Sequence, residues 1–513
     1  MFKMRIFILV YVFTLASSTS AATKYQDVFC NFTSLGTSYY GCYLYRANIT
    51  RTGIPLKFDS NHAEWKTDAD VMAVVSSLDF DGLIESFHYQ LVQKFKNIQQ
   101  VVLRNVKLKK LPTKSFQNCS SIINIDLSNN YLSAIYGKLF ASCGILKYLD
   151  LSYNMIFEIG NDAFHGLENL QELNIAYNRV TFSHEAVQNL TKLKKLYVQH
   201  YWLKNDDLTV FHHLQELEVI DLSNFHSSFL LVEKLIEGLK NLMEITLTYN
   251  YHYAVNFEFL SQFSLRILNL DSNTLVYIPE YSFKNFTHLT ILGVSFNYLQ
   301  ALSVNTFYGL QNLEQLYLSY NSIDKIHEKA FDHLNKLFFL NLNLNRIEAL
   351  SLRMFNNLGD LKYLLISGNR ISNFADHTFK NLEKLIMLTF DENRISSLNS
   401  SAFGRHENLT YITADSNMII KIEESFFDSF PNLMMFSGFD NLCFNGYIQN
   451  FTEVNKTEYF YECFNNWEIS VESPIPPADG VALESTTTEK SKQNKLNISM
   501  ILLLAAFCVY FLI

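Results

Sequence analysis

Between Ile98 and Leu433 the apolar residues of this 513-residue chain recur in one spacing, L-x-x-L-x-L-x-x-N-x-L, which restarts at steps of 23, 24 or 25 residues. The first position of the spacing falls at Ile98, Ile122, Leu146, Leu170, Leu193, Leu217, Leu242, Leu265, Leu289, Leu313, Leu337, Leu361, Leu385, Leu409 and Leu433, which makes fifteen units. A constant period of this length marks a repeat architecture, because a unit so short can bury its apolar face only against its neighbours. Positions four and six, such as Leu149 and Leu151 or Leu316 and Leu318, alternate with polar residues, the period of a short strand with one face buried. Stacking one strand per unit at about 4.8 Å builds a long parallel sheet. The pattern therefore predicts an α/β solenoid with a curved parallel sheet on its concave face and an irregular or short-helical convex side.

Two further positions fill the interior. Position nine is Asn in twelve units, at 130, 154, 178, 250, 273, 297, 321, 345, 369, 393, 417 and 441. A buried amide there can satisfy the backbone of the turn that leaves the strand, which hydrocarbon could not do. Six residues before most unit starts stands a Phe, as at Phe116, Phe140, Phe164, Phe283, Phe307, Phe331, Phe355, Phe379, Phe403 and Phe427, spaced for ring stacking inside the returning half. A weak additional unit, Val75-x-x-Leu78-x-Phe80, joins the array to what precedes it.

The ends read as processing and anchoring segments. Lys3 and Arg5 precede an apolar run from Ile6 to Ala16 and small residues to Ala22, the pattern of a secretory signal over 1–22. An N-terminal cap then occupies 23–74, the repeats 75–441 in about 16 units, a C-terminal cap 442–471, a Pro- and Ser/Thr-containing stalk 472–497, and an apolar tail 498–513. The tail carries no basic residue behind it, and the Ser485-Thr486-Thr487 triplet with its polar spacer matches a GPI-attachment signal at Ser485, with Gly480 as the rival site. A short type I membrane helix is the alternative reading of the same tail. Either way the bulk of the chain is expected outside the cell.

Of seven Cys, Cys508 lies in the tail, and the other six sort into local couples. Cys30 with Cys42 and Cys443 with Cys463 flank the repeats, where the open ends of a solenoid need covering. Cys119 and Cys143 occupy one position in adjacent units, so their separation falls in the window that a disulfide permits. Two buried free thiols are the alternative.

Nine N-x-S/T sequons stand in the expected ectodomain, at Asn31, Asn48, Asn118, Asn189, Asn285, Asn399, Asn408, Asn450 and Asn455. The five inside the array fall at positions fifteen to twenty-four, so the strand segments are free of sugar. On that free face two aromatic sets are candidate partner-binding residues. Position three gives Phe339, Tyr363, Met387, Tyr411 and Met435, and position eight gives Tyr153, Tyr177, His200, Tyr249, Phe296 and Tyr320. Lateral packing between repeats is the competing explanation for both. Between Leu193 and Leu265 the spacing degrades and His200, His212, His213, His226 and His252 collect, which reads as a change of curvature or as a ligand-contacting, pH-sensitive patch.

The formal charge of -9 leaves no basic footprint for nucleic acid. No phosphate loop, nucleophile elbow or zinc spacing occurs, and Asp126, Asp150 and Asp221 at position five read as solvated sheet surface. Neither enzymatic activity nor a cofactor is expected.

Units such as Leu146-x-x-Leu149-x-Leu151-x-x-Asn154-x-Ile156-x-x-Ile159 with Phe164 resemble the 24-residue class of extracellular leucine-rich-repeat proteins. With the signal and the tail, the chain is similar to the chaoptin and connectin group of insect cell-surface proteins, and more loosely to Toll ectodomains and mosquito leucine-rich immune proteins. The resemblance implies protein–protein recognition or cell adhesion, with a protein on a cell surface or a second copy of the chain as partner. Innate-immune recognition of a microbial or complement-like ligand is the alternative it implies. The array lacks tight multi-Cys caps, a cytoplasmic signalling domain and a long heptad segment, which departs from the Toll and mosquito patterns.

Overall fold

The computed structural model describes residues 26–34, 40–50, 54–60, 71–180, 183–200, 208–449, 451 and 456–465. The signal, stalk, attachment site and tail read from the sequence lie outside these residues, as do Asn450 and Asn455. Among the described residues no helix is long and apolar enough to cross a membrane.

Each unit contributes a three-residue strand, and successive strands pair in parallel with position four against position four, as Leu149 against Leu173 and Leu292 against Leu316. The strands join one 20-stranded sheet. Positions four and six are buried throughout, and the returning half of each unit is extended, a short two-stranded ladder, or a brief helix such as His184–Val187, Phe229–Ile236 and Phe257–Leu260. The expected Phe positions are all buried, and Phe116 on Phe140, Phe307 on Phe331 and Phe379 on Phe403 stack with centroids 5.3, 5.8 and 4.8 Å apart. Phe211, six residues before Leu217, occupies the same position and is likewise buried. Val187 and Ile236 take that place where the helices His184–Val187 and Phe229–Ile236 form.

On the N-terminal side four longer strands extend the same sheet. Strand β1 (Gln26–Ser34) pairs antiparallel with β2 (Tyr40–Ile49) and parallel with β3 (Leu56–Ser60). Strand β4 (Val71–Ile84) connects β2 to the array, and its Val74 stands opposite Val101. The preliminary unit therefore begins four residues before the one read from Val75, since Val74, not Leu78, fills position four. At the other end Tyr447–Gln449 pairs antiparallel with Met435–Ser437 and stops the ladder. The rings of Phe427, Phe436, Phe444 and Phe451 gather within 6.2 Å of buried Phe460 and cover the end of the core.

Disulfides join Cys119 to Cys143, with Cα atoms 4.7 Å apart, and Cys443 to Cys463, with Cα atoms 5.0 Å apart. The first links two neighbouring coils, and the second ties the cap helix Tyr461–Asn465 to the end of the array. Cys42 is also disulfide-bonded. The side chain of Cys30, its expected partner, lies outside the described residues.

The position-nine amides bind coil to coil. Asn321 accepts the Leu299 N–H at 2.9 Å through Oδ1, while its Nδ2 donates to Val294 O in the previous unit at 2.9 Å and to Leu318 O in its own at 3.1 Å. The same set of bonds recurs at Asn154, Asn178, Asn297, Asn345, Asn369, Asn393, Asn417 and Asn441. A second amide series lies on the returning side and escapes the sequence reading. Asn169, Asn241, Asn312, Asn408 and Asn432, each just before a unit start, donate to a carbonyl one coil back at 2.7–2.9 Å.

Asn321→Leu would strand a buried N–H and two carbonyls at about 1–3 kcal/mol each. We predict a loss of at least about 3 kcal/mol in urea unfolding, with faster hydrogen exchange at the Leu299 amide; wild-type exchange there would show that the amide does not hold the turn. Peptide mapping without reductant should yield a Cys119–Cys143-linked pair, and alkylation of either thiol in the native protein would contradict the pairing.

Candidate functional site

The turn leaving each strand dictates what the surface offers. To send position nine inward, position eight takes a left-handed conformation in all fifteen units, from Asn105 (φ 52°) to Asp440 (φ 55°). Its N–H then donates to the position-seven carbonyl of the next coil, as Tyr153 to Ala176 at 2.9 Å and Phe296 to Ser319 at 2.9 Å. Asn, Asp and Gly suit such a backbone, and other residues are disfavoured there by about 1–2 kcal/mol. Asn105, Asn129, Asn224, Gly368 and Asp440 follow that preference, whereas Tyr153, Tyr177, His200, Tyr249, Phe296, Tyr320 and Leu344 do not.

The position-eight aromatics stand out of the turn along the strand-exit flank, between 43% (Tyr177) and 61% (Tyr249) exposed. Tyr153 and Tyr177 stack at 4.2 Å with planes 11° apart, and Phe296 and Tyr320 at 4.1 Å and 11°. His200 continues the first stack, 4.8 Å from Tyr177. Positions ten and twelve extend the same flank with exposed Tyr131, Met155, Phe157, Tyr251, Tyr253 and Tyr298. These lay outside the sequence-read sets, although their i, i+2, i+4 spacing after Tyr153 and Tyr249 is visible in the chain.

The position-three stripe behaves differently. Phe339, Met387 and Met435 are buried, and Tyr363 and Tyr411 are half-buried. On the inside of a curved sheet neighbouring side chains crowd together: Tyr317 lies 5.0 Å from Phe339, and Phe339 lies 6.3 Å from Tyr363. The expected continuous outward stripe is thus largely a laterally packed layer, with two tyrosines at its surface. Beneath Tyr317, whose hydroxyl donates to Gln315 Oε1 at 2.7 Å, the buried Gln315 Nε2 has no partner.

The N-terminal half of the concave face is polar. Asp126 and Asp150 are buried, not the solvated surface groups read from the sequence. Each position-five carboxylate accepts the N–H two residues on, from Ser128 and Ser152 at 3.0 and 2.8 Å, and Asp221 does the same with Ser223 at 2.9 Å. Arg104 pairs with Asp126 at 2.5 Å, which raises its own pKa, while Tyr148 and Asn174 donate to Asp150. Burial raises Asp221 above the usual carboxylate range, Asp271 to about 7, and Asp391, beside Asp415, to about 6.

The five histidines of the irregular units do not converge. His212 bonds Lys234 O, His213 bonds Val187 O, His200 meets Asn224, His226 stacks on Tyr251, and His252 is buried against Phe229. Burial lowers the pKa of His200 and His213 and brings His252 to about 4. Among the described residues no group of three His, Cys, Asp or Glu is placed to hold a metal ion. Of the sequon residues, Asn48, Asn118, Asn285, Asn399 and Asn408 are exposed and Asn189 is half-buried; the side chain of Asn31 lies outside the described residues.

Comparison with known proteins agrees with this geometry. A leucine rich repeat model matches residues 263–323, 287–347 and 359–419, and a BspA type leucine rich repeat region model matches 85–218. A leucine-rich-repeat protein of Leptospira interrogans superposes with a TM-score of 0.62 at 22% identity, over 77% of this chain and 95% of that one. A chain of the Drosophila Toll–Spatzle complex gives 0.55 at 20% identity, over 78% and 62%. The functional domain of InlJ from Listeria monocytogenes gives 0.50 at 17%, over 68% and 69%. No match is found among curated proteins. At such identities the likeness carries the fold and nothing finer. Repeat models on both halves of the array, one strand per unit and an asparagine at position nine of twelve units place this chain among the leucine-rich-repeat proteins.

Proposed function

We propose that this chain is an extracellular, membrane-tethered binding protein that recognises a protein on a cell surface through the C-terminal half of its concave face. The observation that carries the reading is the position-three layer: half-buried Tyr363 and Tyr411 rise from buried Phe339, Met387 and Met435. A few large amphipathic side chains held rigidly over a packed apolar floor are the anatomy of a protein-binding hot spot. The strands bearing them hold no sequon, so the partner meets no sugar there. The resemblance to the chaoptin and connectin group and the GPI-like signal at Ser485 support adhesion at the plasma membrane, with no enzymatic step.

The test displays the full chain on otherwise non-adherent cells. Wild-type cells should cluster with each other or with unlabelled neighbours, and a phosphatidylinositol-specific phospholipase should release the protein and disperse them. Tyr363→Asp/Tyr411→Asp should reduce clustering at least tenfold at equal surface level; unchanged clustering would place the contact elsewhere. Retention after phospholipase would replace the GPI anchor with a membrane helix. Surface display without any clustering would reject adhesion and turn the search to a soluble ligand.

A further inference from the structure

The strand-exit flank between Tyr131 and Tyr320 has no role in the concave reading, and its composition runs against the stability of its own turns. Tyr153, Tyr177, Tyr249, Phe296 and Tyr320 occupy left-handed positions that Asn or Gly would fill without strain, and all are exposed. Interior packing does not explain residues that point outward. We propose that this flank is a contact surface between two copies of this chain.

Area, charge and ring orientation point to that occupant. Taken at about half of the 150–250 Å² that one aromatic side chain can bury, the rows at positions eight, ten and twelve offer on the order of 1,000 Å², more than the ~800 Å² per partner of a standard interface. Copies of a chain carrying -9 need a neutral surface on which to meet. From Asn129 to Ser322, positions eight, ten and twelve hold only Arg179 and Lys204 as formally charged residues, with His counted neutral. Beyond Tyr320 the flank changes: position ten becomes Arg346, Arg370 and Arg394, with Glu348 and Glu392 beside them, which bounds the patch. Tyr153 and Tyr177, like Phe296 and Tyr320, each stack one ring face on the other, which leaves their edges and the hydroxyls of the three tyrosines for a partner. Edges and hydroxyls that donate and accept are self-complementary across a two-fold axis. The array's sequons, at positions fifteen to twenty-four, lie off these rows.

The experiment co-expresses two differently tagged full-length copies in one cell and treats the surface with a membrane-impermeant cross-linker. Wild-type copies should cross-link and co-precipitate. Tyr153→Asn/Tyr177→Asn and Tyr249→Asn/Phe296→Asn should each lower that yield at least tenfold, while the thermal midpoint of the purified variants stays level or rises, because Asn suits the backbone it inherits. Tyr363→Asp/Tyr411→Asp should keep the cross-link, so that loss of clustering between cells and loss of self-contact are read separately. Unchanged cross-linking in the flank variants would overturn the proposal. So would a wild-type chain that never cross-links to itself, and flank variants that then lost binding to another protein would assign the surface to that partner.

Discussion

The bond on which the rest of this molecule depends runs from one asparagine amide to the coil behind it. A solenoid strand three residues long has too few ladder bonds to fix a neighbour by itself, and the chain must then reverse toward the convex side with its peptide groups buried. The position-nine amide answers both needs at once, accepting from one coil and donating to two. It can do so only if the residue before it enters the left-handed region. That necessity expels whatever stands at position eight into solvent, so one internal constraint generates an external column of side chains at a fixed rise.

The outer surface is therefore organised by register more than by local choice. Position three lies inside the curve, where neighbours press together and even Phe339 and Met435 become buried. Position eight lies on the flank, where rings keep their exposure even when stacked. Where position five is Asp or Asn, as at Asp126, Asn174, Asp221 and Asn341, its side chain accepts the N–H of position seven and reinforces the strand exit from the solvent side. One repeat thus presents a packed inner layer, a hydrogen-bonded rim and an open flank within eight residues.

Much of this was legible in the chain because chemistry confines the choice. An interior amide at the turn is supplied by Asn in twelve units, and the ring stack of the returning half by Phe, so Asn130 to Asn441 and Phe116 to Phe427 could be read directly. What resisted reading depended on curvature or on contacts between coils. The burial of Met387 follows from how tightly neighbouring strands bend, which no single unit encodes. Asp126 looked solvated because its partners, Arg104 and Ser128, come from the preceding coil and from two residues on. The register of β4 was misplaced because Val71 and Val74 are as apolar as Val75 and Leu78, and only pairing with Val101 decides between them. The histidines between Leu193 and Leu265 were near in sequence but divide in the fold: His200 and His226 share the flank, while His212 and His213 bond carbonyls of the returning half and His252 is buried.

The Cys119–Cys143 bridge has a mechanical consequence. A solenoid pulled from its ends comes apart one coil at a time, each released turn adding its contour length. These sulfurs are 24 residues apart and belong to successive coils. At about 3.3–3.6 Å per extended residue, roughly 80 Å of chain is thereby withheld from any applied load. Unravelling that starts near β1 would pass its load across the bridge to the coils beyond Cys143 without drawing out the chain between the two sulfurs.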